Sequence, residues 1–276
     1  MDQRPRRSIL YLPASRASAV AKARTLDCDC VILDLEDAVA PDAKVQARDA
    51  AAAALDGGWG HREVAVRVNA LGTAWSADDF AMVAQSRPDA VVVPKLNSAA
   101  ETCAAVAASG GVPVWAMIET PAGLLDAAAI AATPGVTALL AGFADLAADL
   151  RLKPDAARTP LHHAMSVIVT AARAADVLAF DGVFVDLHDH AGLAAEAAQS
   201  VMFGFDGKTI VHPGQVDAVN TAFAPTAAEI DQSHRLIAAH AAASGGVTTL
   251  DGRMVEALHV AAARRLIAEA AAVKVR

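Results

Sequence analysis

Aromatic side chains are scarce in this 276-residue chain, at 4%, so the core has to be built from Ala, Val, Leu and Ile rather than around large rings. Cysteine is nearly absent. Cys28, Cys30 and Cys103 make no even-numbered framework, which excludes a disulfide-stapled fold and leaves reduced thiols, two of them beside an apolar run. Basic charge is not in excess: a formal net charge of −8 argues against a general nucleic-acid surface, although it leaves room for a local basic patch facing a phosphorylated cofactor. No hydrophobic run reaches the ~18 positions of a membrane span. The opening MDQRPRRS leads directly into a strand rather than into the apolar region of a signal peptide, so a cytoplasmic location is expected. Finally, no G-x-G-x-x-G follows the first strand and no Walker motif occurs, which removes the usual nucleotide-binding open sheets.

What remains is a 55% hydrophobic, alanine-rich chain in which short β-branched runs alternate with segments of helical length, the pattern of repeated βα units around a parallel sheet. Strands are predicted at 8–12, 30–35, 64–69, 90–94, 114–119, 138–142, 182–186 and 209–212, with helices between them at 15–25, 42–55, 98–108, 161–175 and 193–203. A repeat of about 20 to 40 residues suits a closed (β/α)8 TIM barrel over residues 1–225 better than a six-stranded open sheet. After Pro225 the pattern changes: Thr226 reads as the N-cap of a helix to about Ala243, SGG breaks it, and a second helix is predicted from about Met254 to Ala272. This helical extension, 226–276, has too small a core to stand alone and is expected to pack on the barrel or on a neighbouring subunit.

In barrel enzymes the chemistry sits where strands run out. Asp34, Glu36 and Asp37 follow strand two, Arg67 and Asn69 strand three, Lys95 strand four, Glu119 strand five, Asp145 strand six, Asp186 and Asp189 strand seven, and His212 strand eight. Carboxylates converging on one mouth repel one another unless a cation neutralises them. Oxygen donors without a cysteine–histidine set favour a hard cation, and Mg²⁺ takes only one or two protein carboxylates while leaving positions for substrate oxygens. Glu119 and Asp145, ending consecutive strands, are the expected metal ligands.

The segments LYLPASRASAVAKA, VILDLEDAV, VRVN, VVPK, MIETPAG, AGFADLAADL, GFDGKTIVHPGQV and DGRMVE, in this order from residue 8 to about 270, resemble successive motifs of the HpcH/HpaI aldolase–citrate lyase superfamily, the citrate lyase β-subunit relatives. The resemblance implies a trimeric (β/α)8 enzyme, or one built from trimers, that makes or breaks a carbon–carbon bond between a small 2-oxoacid and an acyl-CoA enolate. It implies Mg²⁺ on Glu119 and Asp145, Arg67 on the reacting oxygens, and Arg16 and Lys22, near the start of the first helix, on the phosphates of coenzyme A. Collapse of an alkoxide to a carbonyl while an enolate leaves puts negative charge on two oxygens, and a metal and a permanently charged arginine answer both. Glu36 and Asp37 are then expected to orient Arg67 and to hold water around the cation, with Gly142 and Phe143 at the substrate end of strand six.

Two departures from the family pattern bear on chemistry. Relatives usually carry an Asp, followed two residues later by Pro, in the late motif where this chain has Glu256 and Leu258; the carboxyl is kept, one methylene longer and without the rigid turn. Before Asp145, Phe143 and Ala144 replace a small residue and a polar one, which narrows the pocket and removes a hydrogen-bonding group.

Other residues read as structural. Lys95 is expected inside the barrel, paired with Asp34. The run Asp186, His188, Asp189, His190 has the side chains of a second metal site but the spacing of an exposed loop; His162 and His163 open a surface helix, and His212 hydrogen-bonds locally. The leading functional expectation is a Mg²⁺-dependent lyase of the malyl-CoA or citramalyl-CoA type, releasing acetyl-CoA and a 2-oxoacid. The alternatives are a malyl-CoA thioesterase and a citryl lyase subunit working on an acyl-carrier thioester.

Overall fold

The computed structural model describes residues 4–153, 155–243 and 246–274. Eight strands close into a parallel barrel in sequence order: β1 Ser8–Pro13, β2 Cys30–Asp34, β3 Glu63–Arg67, β4 Ala90–Val93, β5 Val114–Ile118, β6 Val136–Ala141, β7 Leu178–Asp181 and β8 Gly207–Ile210, with β8 pairing back onto β1. The helices of this compact unit, Arg6–Phe223, are α1 Ala17–Ala23, α2 Lys44–Leu55, α3 Ser76–Ser86, α4 Ala99–Ala108, α5 Pro121–Leu125, α6 Ala127–Ala131, α7 Phe143–Asp149, α8 His162–Ala174, α9 His190–Phe203 and α10 Val216–Phe223. Parallel strands joined through helices are covered on both faces, which is why Val31 to Leu33, Val64 to Val66 and Val91 to Val93 are apolar without alternation.

The apolar residues form two cores. One lies between sheet and helices; the other fills the barrel interior with Ile9, Cys30, Ile32, Ala65, Val92, Trp115, Met117, Leu140 and Phe180. Trp115 and Phe180 meet there with ring centroids 5.2 Å apart and supply bulk at the centre of the barrel. Because strand side chains alternate, the interior columns continue upward into polar residues: Ile9 to Tyr11, Ile32 to Asp34, Ala65 to Arg67, Met117 to Glu119. The active face is built by that periodicity.

One strand lies elsewhere than expected. β7 is Leu178–Asp181, four residues before the predicted 182–186; the β-branched GVFV outscored VLAF on propensity, but the barrel takes Phe180 inward and lets Val183 onward leave the sheet. The residue that ends β7 is therefore Asp181.

A second unit comprises the residues before Arg6 and after Phe223. Thr226 caps α11, Ala227–Ala242, with Glu229 completing the reciprocal capping box. An antiparallel hairpin then follows, β9 Thr248–Leu250 and β10 Arg253–Val255, turned at Asp251 and Gly252, both at positive φ. The last helix is α12, Ala257–Lys274. Met254, predicted to begin that helix, instead lies in β10, because a two-residue turn at Asp-Gly closes a hairpin.

Candidate active site

A cavity of about 380 Å³ opens at the C-terminal ends of the strands, lined by Tyr11, Asp34, Asp37, Arg67, Met117, Glu119, Gly142, Phe143, Asp145, Thr209 and neighbouring small residues. β2 and β3 are in register with Asp34 opposite Arg67. Asp34 Oδ1 and Oδ2 accept from Arg67 Nε and Nη2 at 2.7 Å each, a forked pair that fixes the guanidinium plane. Asp34 also accepts from the backbone N–H groups of Glu36 and Ala38, which binds the loop after β2 to the same carboxylate. Arg67 Nη1 lies 3.0 Å from Glu36 Oε2 and 3.4 Å from Asp37 Oδ2. Glu36 and Asp37 thus both reach Arg67, as expected, and Asp34, not expected in that role, holds it by the fork.

Glu119 follows β5 and is 3% exposed. Thr120 caps the helix that starts immediately after it, accepting from Gly123 N with Pro121 in the first turn, so the chain turns away and leaves Glu119 at the rim. Gly142 N donates to Ile118 O, bringing β6 alongside. A Cβ at Gly142 would stand 2.3 Å from Glu119 Cβ and 2.7 Å from its Oε2; glycine is required there to make room for the carboxylate. Asp145 sits in the first turn of α7, half-buried.

Lys95 holds these parts together. Its backbone is left-handed at φ 55°, unusual for a residue with a side chain. In that conformation its N–H donates to Glu119 Oε1 at 2.8 Å, while its Nζ donates to Glu36 Oε1 at 3.1 Å and lies 3.9 Å from Asp145 Oδ2. The expected pairing of Lys95 with Asp34 is therefore corrected: Arg67 saturates Asp34, and the lysine, one strand further round, meets Glu36. Lys44 Nζ closes the back of the loop on the carbonyls of Leu35 and Glu36.

The electrostatics are unbalanced toward negative charge. Burial, then the neighbouring Glu36 carboxylate, against the opposing pull of Lys95, push Glu119 up to about 7. Burial likewise holds Glu36 above the usual carboxylate range, despite Arg67. Glu36 Oε2 is buried and, among the described residues, accepts no hydrogen bond: it is close to Arg67 Nη1 without hydrogen-bond geometry. A site of carboxylates, with no thiolate or imidazole among them, Glu119 buried and Asp145 half-exposed, fits a hard divalent cation on these two residues. Among the described residues no group of three or more His, Cys, Asp or Glu is placed to hold a metal ion; Mg²⁺ needs only one or two protein carboxylates.

The remaining expected residues belong to other elements. Arg16 lies at the start of α1, as expected, as its N-cap, but Lys22 falls in its last turn, because the helix has only seven residues; both are exposed. Glu256 belongs to the second unit, half-buried at the entry to α12, its N–H donating to His259 Nδ1. Asp186 and Asp189 cap local backbone in an exposed loop, and His212 Nδ1 accepts from Gly214 N. Sequence reasoning passed over Tyr11, which lines the cavity with its ring 5.0 Å from the Arg67 guanidinium; its signal was the two-residue step from Ile9.

The chain belongs to the HpcH/HpaI aldolase/citrate lyase family, whose model matches residues 7–213. The chain is similar to the (3S)-malyl-CoA thioesterase of Cereibacter sphaeroides, 42% identical over 275 residues, 98% of this chain and 96% of the relative. It is also similar to the L-malyl-CoA/beta-methylmalyl-CoA lyase of Cereibacter sphaeroides, 32% identical over 302 residues, 97% and 95% of the two chains. Among solved structures, CitE from Mycobacterium tuberculosis in complex with magnesium, acetoacetate and coenzyme A superposes with a TM-score of 0.83 at 31% identity, covering 98% of this chain and 99% of that one.

Proposed function

We propose that this chain is a Mg²⁺-dependent enzyme acting on a malyl-CoA-type thioester, with hydrolysis to the free hydroxy acid and coenzyme A as its reaction. The observation that carries the reading is the Arg67 guanidinium, clamped by Asp34 beside a buried carboxylate set in a cavity of about 380 Å³, together with end-to-end similarity to a protein of that activity. Mg²⁺ on Glu119 and Asp145 would act as Lewis acid and template for the carboxylate and hydroxyl oxygens of the acid.

The rest is done by the protein's own groups. Arg67, unable to lose its proton, faces the thioester carbonyl oxygen and stabilises the negative charge that grows there, whether water adds to the carbon or an enolate forms. Asp34 prevents the guanidinium from turning toward the metal ligands, and Glu36 and Asp37 hold its remaining edge. Lys95 fixes Glu119 through its backbone N–H, so that carboxylate keeps its direction when the cavity fills. Phe143, buried against the cavity, restricts the acid half to a short chain. Arg16 and Lys22 are the groups for the phosphates of coenzyme A, and Glu256 is the carboxylate for proton transfer.

The second reading is carbon–carbon cleavage to acetyl-CoA and a 2-oxoacid, favoured by the similarity to a malyl-CoA lyase; the same groups would serve, with the enolate leaving instead of water adding. Incubation of the purified protein with Mg²⁺ and malyl-CoA, followed by quantification of free thiol, malate, acetyl-CoA and glyoxylate, separates them. Malate and free coenzyme A in equal amounts are expected. Glyoxylate and acetyl-CoA as the main products would replace the first reading by the second, and no turnover of malyl-CoA or its methylated homologue would remove both. If activity appeared only on a carrier-bound thioester, the citrate-lyase subunit role would take their place.

A further inference from the structure

Tyr11 is the chain's single tyrosine. It extends the interior column of β1 above Ile9, lines the cavity, and packs its ring 5.0 Å from the Arg67 guanidinium. Its hydroxyl is buried and has no hydrogen-bond partner among the described residues. The charged groups that act on it most are Arg67, Asp34, Glu119 and Glu36, the same residues that form the site. A hydroxyl left unpaired in a protein interior is costly, and a phenylalanine would fill the same volume without that cost. A buried donor without a partner among the described residues, beside the arginine assigned above to the reacting oxygen, has the arrangement of one half of an oxyanion hole.

The geometry points to Tyr11 as a catalytic residue that donates its hydroxyl proton in a hydrogen bond to the thioester carbonyl oxygen, converging with Arg67 on the same atom. This inference rests on the malyl-CoA-type reading of the cavity. No proton is transferred: the phenol remains protonated throughout, and burial, opposed by Arg67, pushes its ionisation well above the ordinary tyrosine value, so it serves as a donor at any working pH. In the ground state the carbonyl oxygen is a weak acceptor; as negative charge accumulates on it the bond strengthens, so the contribution falls on turnover rather than on substrate affinity.

Tyr11→Phe tests this with three readouts. Turnover of malyl-CoA should fall about 10- to 100-fold with KM changed by less than about threefold. The thermal midpoint of the unliganded protein should rise by roughly 2 °C, because an unpaired buried hydroxyl is removed. With 3-fluorotyrosine incorporated, the single ¹⁹F resonance should shift on addition of a coenzyme A thioester in the presence of Mg²⁺, and not on addition of Mg²⁺ with free coenzyme A. A hydroxyl with a structural role would reverse the second result, lowering the midpoint, and an idle one would leave turnover unchanged; either outcome overturns the assignment. If the wild type does not turn over malyl-CoA, the functional reading fails first, whereas an active wild type with an equally active Tyr11→Phe variant defeats only the role of Tyr11.

Discussion

Two clusters of buried charge stand at strand ends of the same barrel, and they are built on opposite plans. Behind β7 and β8, toward α9, Asp181 receives Arg158 Nη1 at 2.9 Å on both oxygens and Lys208 Nζ at 2.9 Å, with the Ser200 hydroxyl as a further donor, and Lys208 also reaches Glu196 at 2.6 Å. Asp181 and Lys208 are fully buried. Burial pushes the Asp181 carboxyl up, but Lys208 and Arg158 outweigh it and hold the group below the usual range. At the mouth, the carboxylates Asp34, Glu36, Asp37, Glu119 and Asp145 outnumber the cations among them, Glu119 is pushed up instead of down, and the Tyr11 hydroxyl and Glu36 Oε2 make no hydrogen bond among the described residues. A closed cluster stabilises the fold; an open one is completed by what it binds. The two regions share Phe143, which lines the cavity and has the Arg158 guanidinium 5.9 Å from its ring centre.

The largest effect should come from breaking the closed cluster. Asp181→Ala leaves the buried Arg158 and Lys208 with Glu196 as their one remaining counter-charge among the described residues and should cost about 3–5 kcal/mol of stability, read from the denaturant midpoint; a cost below about 1 kcal/mol would deny that the two clusters differ in kind. At the mouth the order reverses. Arg67→Lys should keep the fold but lower turnover by about 10²- to 10³-fold, because an ammonium cannot both fork onto Asp34 and face the substrate. Comparable loss of stability and of turnover in this variant would make Arg67 another structural ion.

Next in size is the pH dependence of the metal-free protein. Glu119 ionises near pH 7 in the folded chain and near its ordinary value, 4.5, when unfolded. Between these values the folded state binds the extra proton, so this group stabilises less as pH rises from about 4.5 to 7, on the order of 3 kcal/mol in total. Glu119→Gln should flatten that slope and leave the acid limb governed by Asp181, whose stabilisation is lost only as pH falls below about 4. Unfolding midpoints of both proteins across pH 4 to 8 in chelator would decide it; parallel curves would contradict the assignment. The smallest effect is expected in the second unit: Glu256→Ala should lower turnover about 10-fold, and Glu256→Asp, restoring the shorter carboxylate, should raise the ratio of glyoxylate to free coenzyme A. An unchanged Glu256→Ala enzyme would remove this residue from the chemistry.

Much of the mouth was readable from sequence because strand periodicity is local: a charged residue two steps beyond an interior apolar one, at Arg67 and Glu119, already marks a barrel rim. The contacts of Arg67 with Glu36 and Asp37 were readable; Asp34–Arg67 and Lys95–Glu36 were not, since they depend on which strands lie side by side and on the left-handed turn at Lys95. β7 was misplaced because β propensity ranked GVFV above VLAF, while barrel closure and the Asp181 cluster select the latter. The hairpin at Thr248–Val255 was missed because its strands are three residues each, too short for periodicity to register. Tyr11 escaped notice since a lone tyrosine in an apolar run reads as packing; only its unpaired hydroxyl separates it from Phe180.

The central claim, that the mouth is an ion cluster completed by a divalent cation on Glu119 and Asp145, is tested most directly by titrating metal-free protein with Mg²⁺ at pH 7 in buffers of different ionisation enthalpy. One site is predicted, with release of about half a proton per ion bound as Glu119 gives up its share, and Glu119→Gln should abolish both the binding and the proton release. Unchanged Mg²⁺ affinity in Glu119→Gln, or binding with no proton released, would contradict it.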